Sequence, residues 1–263
     1  QGDGEFNAEG IAFYDRFIDD LIARGIEPMV CLYHFDMPLA LGQEYNGFND
    51  RRVVEAFIRY GKKMIDCFGD RVKYWLTFNE QNIFHMPIAF RISGYMKGEE
   101  TLRELYEVQH HTMVAHMALT EYLHQTKPGK LMGGMLAHQL IYPATCKPRD
   151  IFCAQQYDEF LNQNLLRVFA GQGYSPAVMA VVEQEGFGDI YRADDLALFA
   201  RTKNDFMAFS YYASKTLDSD AIPEGTPVNY YLLHGEKNNP YLKATEWNWQ
   251  IDPLGFRTII TRY

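Results

Sequence analysis

Little in this sequence suits a disulfide scaffold, a membrane span or a nucleic-acid surface. Its four cysteines (Cys31, Cys67, Cys146 and Cys153) stand at irregular intervals and form no Cys-x-x-Cys pair. That excludes a disulfide framework and fits reduced thiols in a cytoplasmic protein. No apolar run approaches the roughly 18 residues of a transmembrane helix. No basic, apolar leader is visible either, although the chain opens on Gln1 rather than Met. Lys and Arg number 25 against 34 Asp and Glu, for a formal charge of −9, and they form no stripe interleaved with aromatics. Nucleic acid is therefore not an expected partner. Repeats and low-complexity tracts are absent too. What the chain has in quantity is apolar surface, 47% of its 263 residues, with 15% aromatic. A sizeable core in one large or two small domains follows. Aromatics at this level also suit a carbohydrate site, where rings stack on sugar faces, although most of them must be core.

Along the chain, apolar residues alternate between two periods. Ile11, Phe13, Tyr14, Phe17, Ile18, Leu21 and Ile22 give the 3-and-4 spacing of a helix over residues 7–24, stopped by Gly25. A short buried strand follows at 26–33. Asn49 or Asp50 caps a second helix, which Gly69 ends. A strand at 73–79, a long helix at 101–125 and a strand at 131–138 come next. Gly133 and Gly134 within that last strand indicate close backbone approach. Helices are expected at 150–170, 176–184 and 193–201, a fourth strand at 205–212, a long polar loop at 217–243, and a helix at 254–263 with Pro253 at its first turn. Strands separated by crossovers of this length predict a parallel α/β sheet. Four parallel strands cannot close a (β/α)8 TIM barrel, so the expectation is an incomplete barrel, a single domain over 1–263 truncated at both ends. Its strands correspond to roughly the third to the sixth.

In a parallel sheet, ligands meet the carboxyl ends of the strands. Those ends read His34-Phe35-Asp36, Asn79-Glu80-Gln81-Asn82, His138-Gln139 and Ser210-Tyr211-Tyr212. Each brings polar or aromatic groups to what would be one common rim. Glu80 stands out, flanked by amides and following Trp75 and Phe78. Partial desolvation by those rings favours the protonated carboxyl, a usable proton donor near neutral pH. Taken alone, a Glu after a strand is more often a helix cap or a solvated side chain, and it is the rest of the chain that reverses that reading.

Taken together, these segments resemble glycoside hydrolase family 1, the retaining β-glycosidases, and within it the 6-phospho-β-glucosidase branch. The resemblance runs nearly the whole length. It is carried by Phe13-Tyr14, Gly25-Ile26-Glu27-Pro28, Tyr33-His34-Phe35-Asp36-Met37-Pro38, Phe68-Gly69-Asp70-Arg71-Val72, Tyr74-Trp75, Thr77-Phe78-Asn79-Glu80, Tyr174-Ser175-Pro176, Ser210-Tyr211-Tyr212 and Trp249-Gln250-Ile251-Asp252-Pro253. It implies Glu80 as general acid/base, Asn79 as the amide at the sugar 2-hydroxyl, His34 as a sugar-hydroxyl ligand and Tyr212 as the hydrogen-bond partner of the nucleophile. Retention requires a second carboxylate about 5–5.5 Å from the first. The family's nucleophile motif, Thr/Val-Glu-Asn-Gly, would lie beyond Tyr263, as would the loop that supplies phosphate ligands. Glu183, Glu185 and Glu246 fall outside that motif and are not candidates. The usual Asn-Glu-Pro is here Asn79-Glu80-Gln81, the Trp after the strand-end His is Phe35, and the Asn before the paired tyrosines is Ser210.

The resemblance implies a cytoplasmic hydrolase of a β-glucoside or phospho-β-glucoside, with no cofactor or metal. Homo-oligomerisation is compatible with it. The rivals it leaves are a β-glucosidase, a 6-phospho-β-galactosidase or an inactive sugar-binding fragment. His111 and His116 lie about 140° apart around a helix, so they share no face for a metal; with His110 they read as structural. His138 is either a rim group or a core histidine. Met113, Met117, Met132 and Met135 read as core filling, and Asp194-Asp195 as a charge pair at a helix start. Trp247 and Trp249 either form an aglycone platform or pack a loop.

Overall fold

In the computed structural model, which describes residues 2–262, the four apolar runs form strands. They are β1 (Met29–Tyr33), β2 (Tyr74–Phe78), β3 (Leu131–Ala137) and β5 (Phe206–Ser210), with a short β4 (Ile141–Pro143) between the last two. The four long strands pair in the order β1-β2-β3-β5, and every pairing is parallel. Helices α1 (Ala8–Ala23), α2 (Leu39–Tyr45), α3 (Arg51–Phe68), α4 (Leu102–Thr126), α5 (Pro148–Asp158), α6 (Asn164–Phe169), α7 (Pro176–Gln184) and α8 (Ala193–Arg201) fill the crossovers. The expected α/β arc with too few strands to close is the fold observed.

Local chemistry sets the boundaries. The Asn7 side chain caps α1, and Gly25 turns the chain out of it at φ +74°. At α3 the capping residue is Asp50, whose carboxylate accepts the Arg52 N–H at 2.8 Å. A reciprocal capping box opens α4: Thr101 accepts from the Glu104 N–H at 3.3 Å, and Glu104 accepts from the Thr101 N–H at 2.7 Å. The glycines of β3 are required for space. A Cβ at Gly133 would lie 2.4 Å from the Phe206 ring, and one at Gly134 would lie 2.6 Å from the Phe169 ring. The core between sheet and helices is aromatic, with Phe78 stacked on Phe57 at 4.7 Å and Tyr33 edge-on to Phe48 at 5.5 Å. Burying a ring of this kind stabilises the fold by about 1.5–3 kcal/mol.

Three expectations need correction. Residues 217–243 are not one loop, because β6 (Lys215–Leu217), α9 (Tyr231–Gly235) and β7 (Glu236–Lys237) form there, and β4, β6 and β7 make a second small sheet. Strands of three, three and two residues are too short to show a period in sequence. The helix expected over 150–170 begins at Pro148 and passes through a π turn, Glu159–Gln163, between α5 and α6. The short α2, ended by Asn46 in the left-handed conformation, was not anticipated. The last helix, α10 (Pro253–Arg262), runs as expected over the described residues; Tyr263 lies outside them. Among the described residues, no helix is long and apolar enough to cross a membrane.

Three histidines of α4, His110, His111 and His116, are built into the core. His116 bridges Thr77 Oγ1 (2.6 Å) and Asn204 Oδ1 (2.9 Å), His111 meets the Phe48 carbonyl (2.8 Å), and His110 meets Tyr174 Oη (3.0 Å) and Asp195 (3.1 Å). Asp195, in the first turn of α8, also pairs with Arg51. Burial works against its charge, but the His110 and Arg51 hydrogen bonds outweigh burial and hold its carboxyl well below the usual range. Desolvation lowers His111 and His116 to about 4 and His85 to about 3, all below the ordinary 6.5. The folded state therefore binds fewer protons than the unfolded one. The contribution of these residues is complete above pH 6.5 and declines as pH falls, by roughly 1.4 kcal/mol per pH unit for each histidine kept neutral. Thermal unfolding should accordingly show Tm dropping between pH 7 and pH 5, with a shallower slope in His116→Gln. A flat Tm across that window would contradict this.

Candidate active site

The strand ends meet on one rim. Tyr33 at the end of β1 is in register with Phe78 at the end of β2, and the Asn79 N–H donates to the Tyr33 carbonyl at 2.9 Å. His34 and Asn79 thus follow neighbouring, hydrogen-bonded strand ends. His34 is exposed, and its own N–H donates to Asp36 Oδ1 at 2.9 Å. Asn79 is nearly buried. Further round the arc, β3 and β5 pair to their last residues, Ala137↔Ser210, and the His138 N–H donates to the Ser210 carbonyl at 2.9 Å.

Glu80 sits at the middle of this rim in an unusual conformation. Its φ of 46° and ψ of 53° are left-handed, and its side chain is only 6% exposed. A non-glycine residue in that region costs about 1–3 kcal/mol and persists only where its surroundings over-determine it. Phe35, one residue past His34, is left-handed as well, at φ 69°. The Tyr212 hydroxyl donates to Glu80 Oε1 at 2.6 Å. That bond raises the tyrosine above its ordinary 10, so the phenol stays a donor. The Glu80 N–H faces Met135 Sδ at 3.0 Å, a weak acceptor.

Glu80 and Tyr212 are thus brought into contact, so that among the described residues Tyr212 bonds the acid/base candidate and not the nucleophile that the resemblance implied as its partner; Asn79 is adjacent in the chain and His34 is on the next strand end. The rings expected behind Glu80 are engaged elsewhere: the Trp75 indole donates to the Val72 carbonyl at 3.3 Å, and Phe78 stacks on Phe57. Met135 and Tyr212 meet Glu80 in their place. Met113, Met117 and Met132 are core residues as expected, whereas Met135 is half-buried at the rim. His138 is buried, and desolvation lowers it to about 4. Trp249 lies 5.2 Å from the Tyr212 ring and Trp247 6.4 Å beyond it, at 45% and 80% exposure. They form an open aromatic ledge beside the Tyr212–Glu80 pair.

Sequence reasoning missed two groups. Asp252 accepts from Ser214 Oγ (2.6 Å) and Tyr142 Oη (2.9 Å), caps α10 through the Gly255 N–H (2.8 Å), and its carbonyl accepts from Tyr211 Oη (2.9 Å). It ties α10 to the segment that carries Tyr212; the Asp-Pro step before a helix was its available signal. Asn82, two residues after Glu80, is fully buried and bonded to Ala137 and Asn162.

The description "Glycosyl hydrolase family 1" matches residues 1–263. The chain belongs to that family. Among curated relatives of this family 1 chain, the aryl-phospho-β-D-glucosidase BglC of Bacillus subtilis is 33% identical over 277 residues, covering all of this chain and 58% of the relative. The 6-phospho-β-glucosidase AscB of Escherichia coli is 36% identical over 253 residues, covering 95% of this chain and 52% of the relative. Among solved structures, the β-glucosidase BglU of Micrococcus antarcticus superposes with a TM-score of 0.86 at 25% identity, and the family 1 β-glucosidase of Thermotoga maritima with 0.82 at 25%. Each alignment covers 99% of this chain and 58% or 56% of the other. The family 1 chain spans about half the length of the relatives it matches, and its fold is an arc of the (β/α)8 barrel.

The strained backbone of Glu80 has a measurable consequence. Glu80→Gly, which removes the Cβ that disfavours left-handed φ, should raise the unfolding free energy by about 1 kcal/mol. The urea midpoint reads this directly; a lower midpoint would mean that the Tyr212 contact outweighs the relieved strain.

Proposed function

We propose that residues 1–263 form the acid/base side of a retaining β-glycosidase acting on 6-phospho-β-glucosides. The observation that carries the reading is Glu80: a buried, left-handed carboxyl at a strand's carboxyl end, with the Tyr212 hydroxyl 2.6 Å from one of its oxygens. The phospho-sugar preference is supported by the names of the curated relatives, 6-phospho-β-glucosidases and aryl-phospho-β-D-glucosidases.

In this mechanism Glu80 is protonated when substrate binds and gives its proton to the glycosidic oxygen as the bond to the sugar breaks. Once ionised, its carboxylate gains most from the Tyr212 O–H, and it then takes a proton from the water that hydrolyses the glycosyl-enzyme. Asn79 contacts the 2-hydroxyl, where hydrogen bonds strengthen as oxocarbenium charge develops. His34, exposed on the adjacent strand end, binds a further sugar hydroxyl. The aromatic ledge of Trp247 and Trp249 offers a stacking surface to the leaving group. The second carboxylate, about 5–5.5 Å from Glu80 in a retaining enzyme, is assigned to the length that the relatives have and residues 1–263 do not cover.

The complete gene product carrying residues 1–263 should hydrolyse p-nitrophenyl 6-phospho-β-glucoside in preference to the unphosphorylated glucoside and to 6-phospho-β-galactoside. Glu80→Gln should lower kcat on that substrate by about 10²–10⁴. Residues 1–263 alone should bind the sugar without turning it over. Absence of turnover by the complete product, or a Glu80→Gln variant as fast as the parent, would refute the reading.

A further inference from the structure

Between β2 and β3 the main-chain ladder ends early. Paired residues run from Tyr74↔Leu131 to Leu76↔Gly133, yet β3 continues to Ala137. At the rim the side chain of Asn82 takes the ladder's place. Its Oδ1 accepts the Ala137 N–H at 2.8 Å and its Nδ2 donates to the Ala137 carbonyl at 2.9 Å. One amide thus satisfies both main-chain groups of the residue that ends β3. The same Nδ2 reaches Asn162 Oδ1 at 3.2 Å, and Asn162 donates to Asp158 Oδ1 at 2.8 Å and to the Gln139 carbonyl at 3.3 Å. Both asparagines are fully buried.

Asn162 belongs to the π turn Glu159–Gln163. Such turns insert one residue into a helix and recur at functional sites. Here the widened turn sets an amide carbonyl where Asn82 needs an acceptor. Little else fixes the main chain at Glu80: its N–H has only a thioether partner, and its carbonyl accepts from Ile83 at 3.1 Å within the same short turn. The strained φ therefore depends on a tether two residues further on.

We propose that Asn82, oriented by Asn162, is the positioning residue that holds the Glu80 carboxyl at proton-transfer geometry. The inference rests on the reading of Glu80 as acid/base. Neither asparagine is bonded to Glu80, so both act through the backbone of its turn.

The test uses the complete gene product carrying residues 1–263 and two aryl 6-phospho-β-glucosides. Dinitrophenolate departs without a proton, whereas phenolate needs one. In Asn82→Ala, kcat/KM should fall about 30-fold or more on the phenyl substrate and less than about 3-fold on the dinitrophenyl one, because a misplaced acid harms only the step that needs its proton. Asn162→Ala should show the same leaving-group bias at about 5-fold, and it carries the test if the thermal midpoint shows Asn82→Ala to be unfolded. Glu80→Gln gives the reference pattern. A loss of equal size on both substrates in the folded variants, or no loss, overturns the positioning role alone. An unsubstituted enzyme inactive on both substrates overturns the glycosidase reading, and this inference with it.

Discussion

Parallel pairing of β1, β2, β3 and β5 is the constraint from which the rest follows. With every strand running the same way, all four carboxyl ends emerge on one side, and residues remote in sequence share a rim. Tyr212 reaches Glu80 across 132 positions of chain for that reason. Antiparallel pairing of the same segments would send alternate strand ends to opposite sides and break the constellation. The glycines of β3 belong to this constraint, since they admit the Phe206 and Phe169 rings against the sheet.

A second theme is the contrast between a settled interior and a strained rim. Behind the sheet, aromatic rings interlock, and His111 and His116 have partners that suit their neutral form. At the rim, Phe35 and Glu80 adopt left-handed φ directly after neighbouring strands. Strain of this kind is maintained by its surroundings, and it clusters where side chains must be aimed rather than merely packed.

The four long strands were legible because they are apolar, β-prone runs bounded by breakers, and their polar endings marked the rim. Glu80, Asn79, His34 and Tyr212 came from the same signal, joined to a family resemblance. The short strands at 141–143, 215–217 and 236–237 were not legible; two or three residues carry no period, and their pairing is decided by tertiary contact. Nor does any local pattern announce that Glu80 is left-handed or that Asn82 stands in for a missing ladder. Both depend on where β3 lies. Trp75 shows the limit of adjacency: close to Glu80 in sequence, its indole bonds back to the Val72 carbonyl instead.

The π turn between α5 and α6 makes segment length itself a structural variable. Removing a single residue there would let the helix close to its ordinary pitch with α5 and α6 keeping their facing, since the wide turn absorbs one extra residue; what changes is the placement of the turn's own side chains. Asn162 would swing away from Asn82 even if no asparagine were replaced. Tolerance to substitution and tolerance to deletion should therefore diverge sharply in this stretch, and a homologue one residue shorter would have to secure the end of β3 by other means.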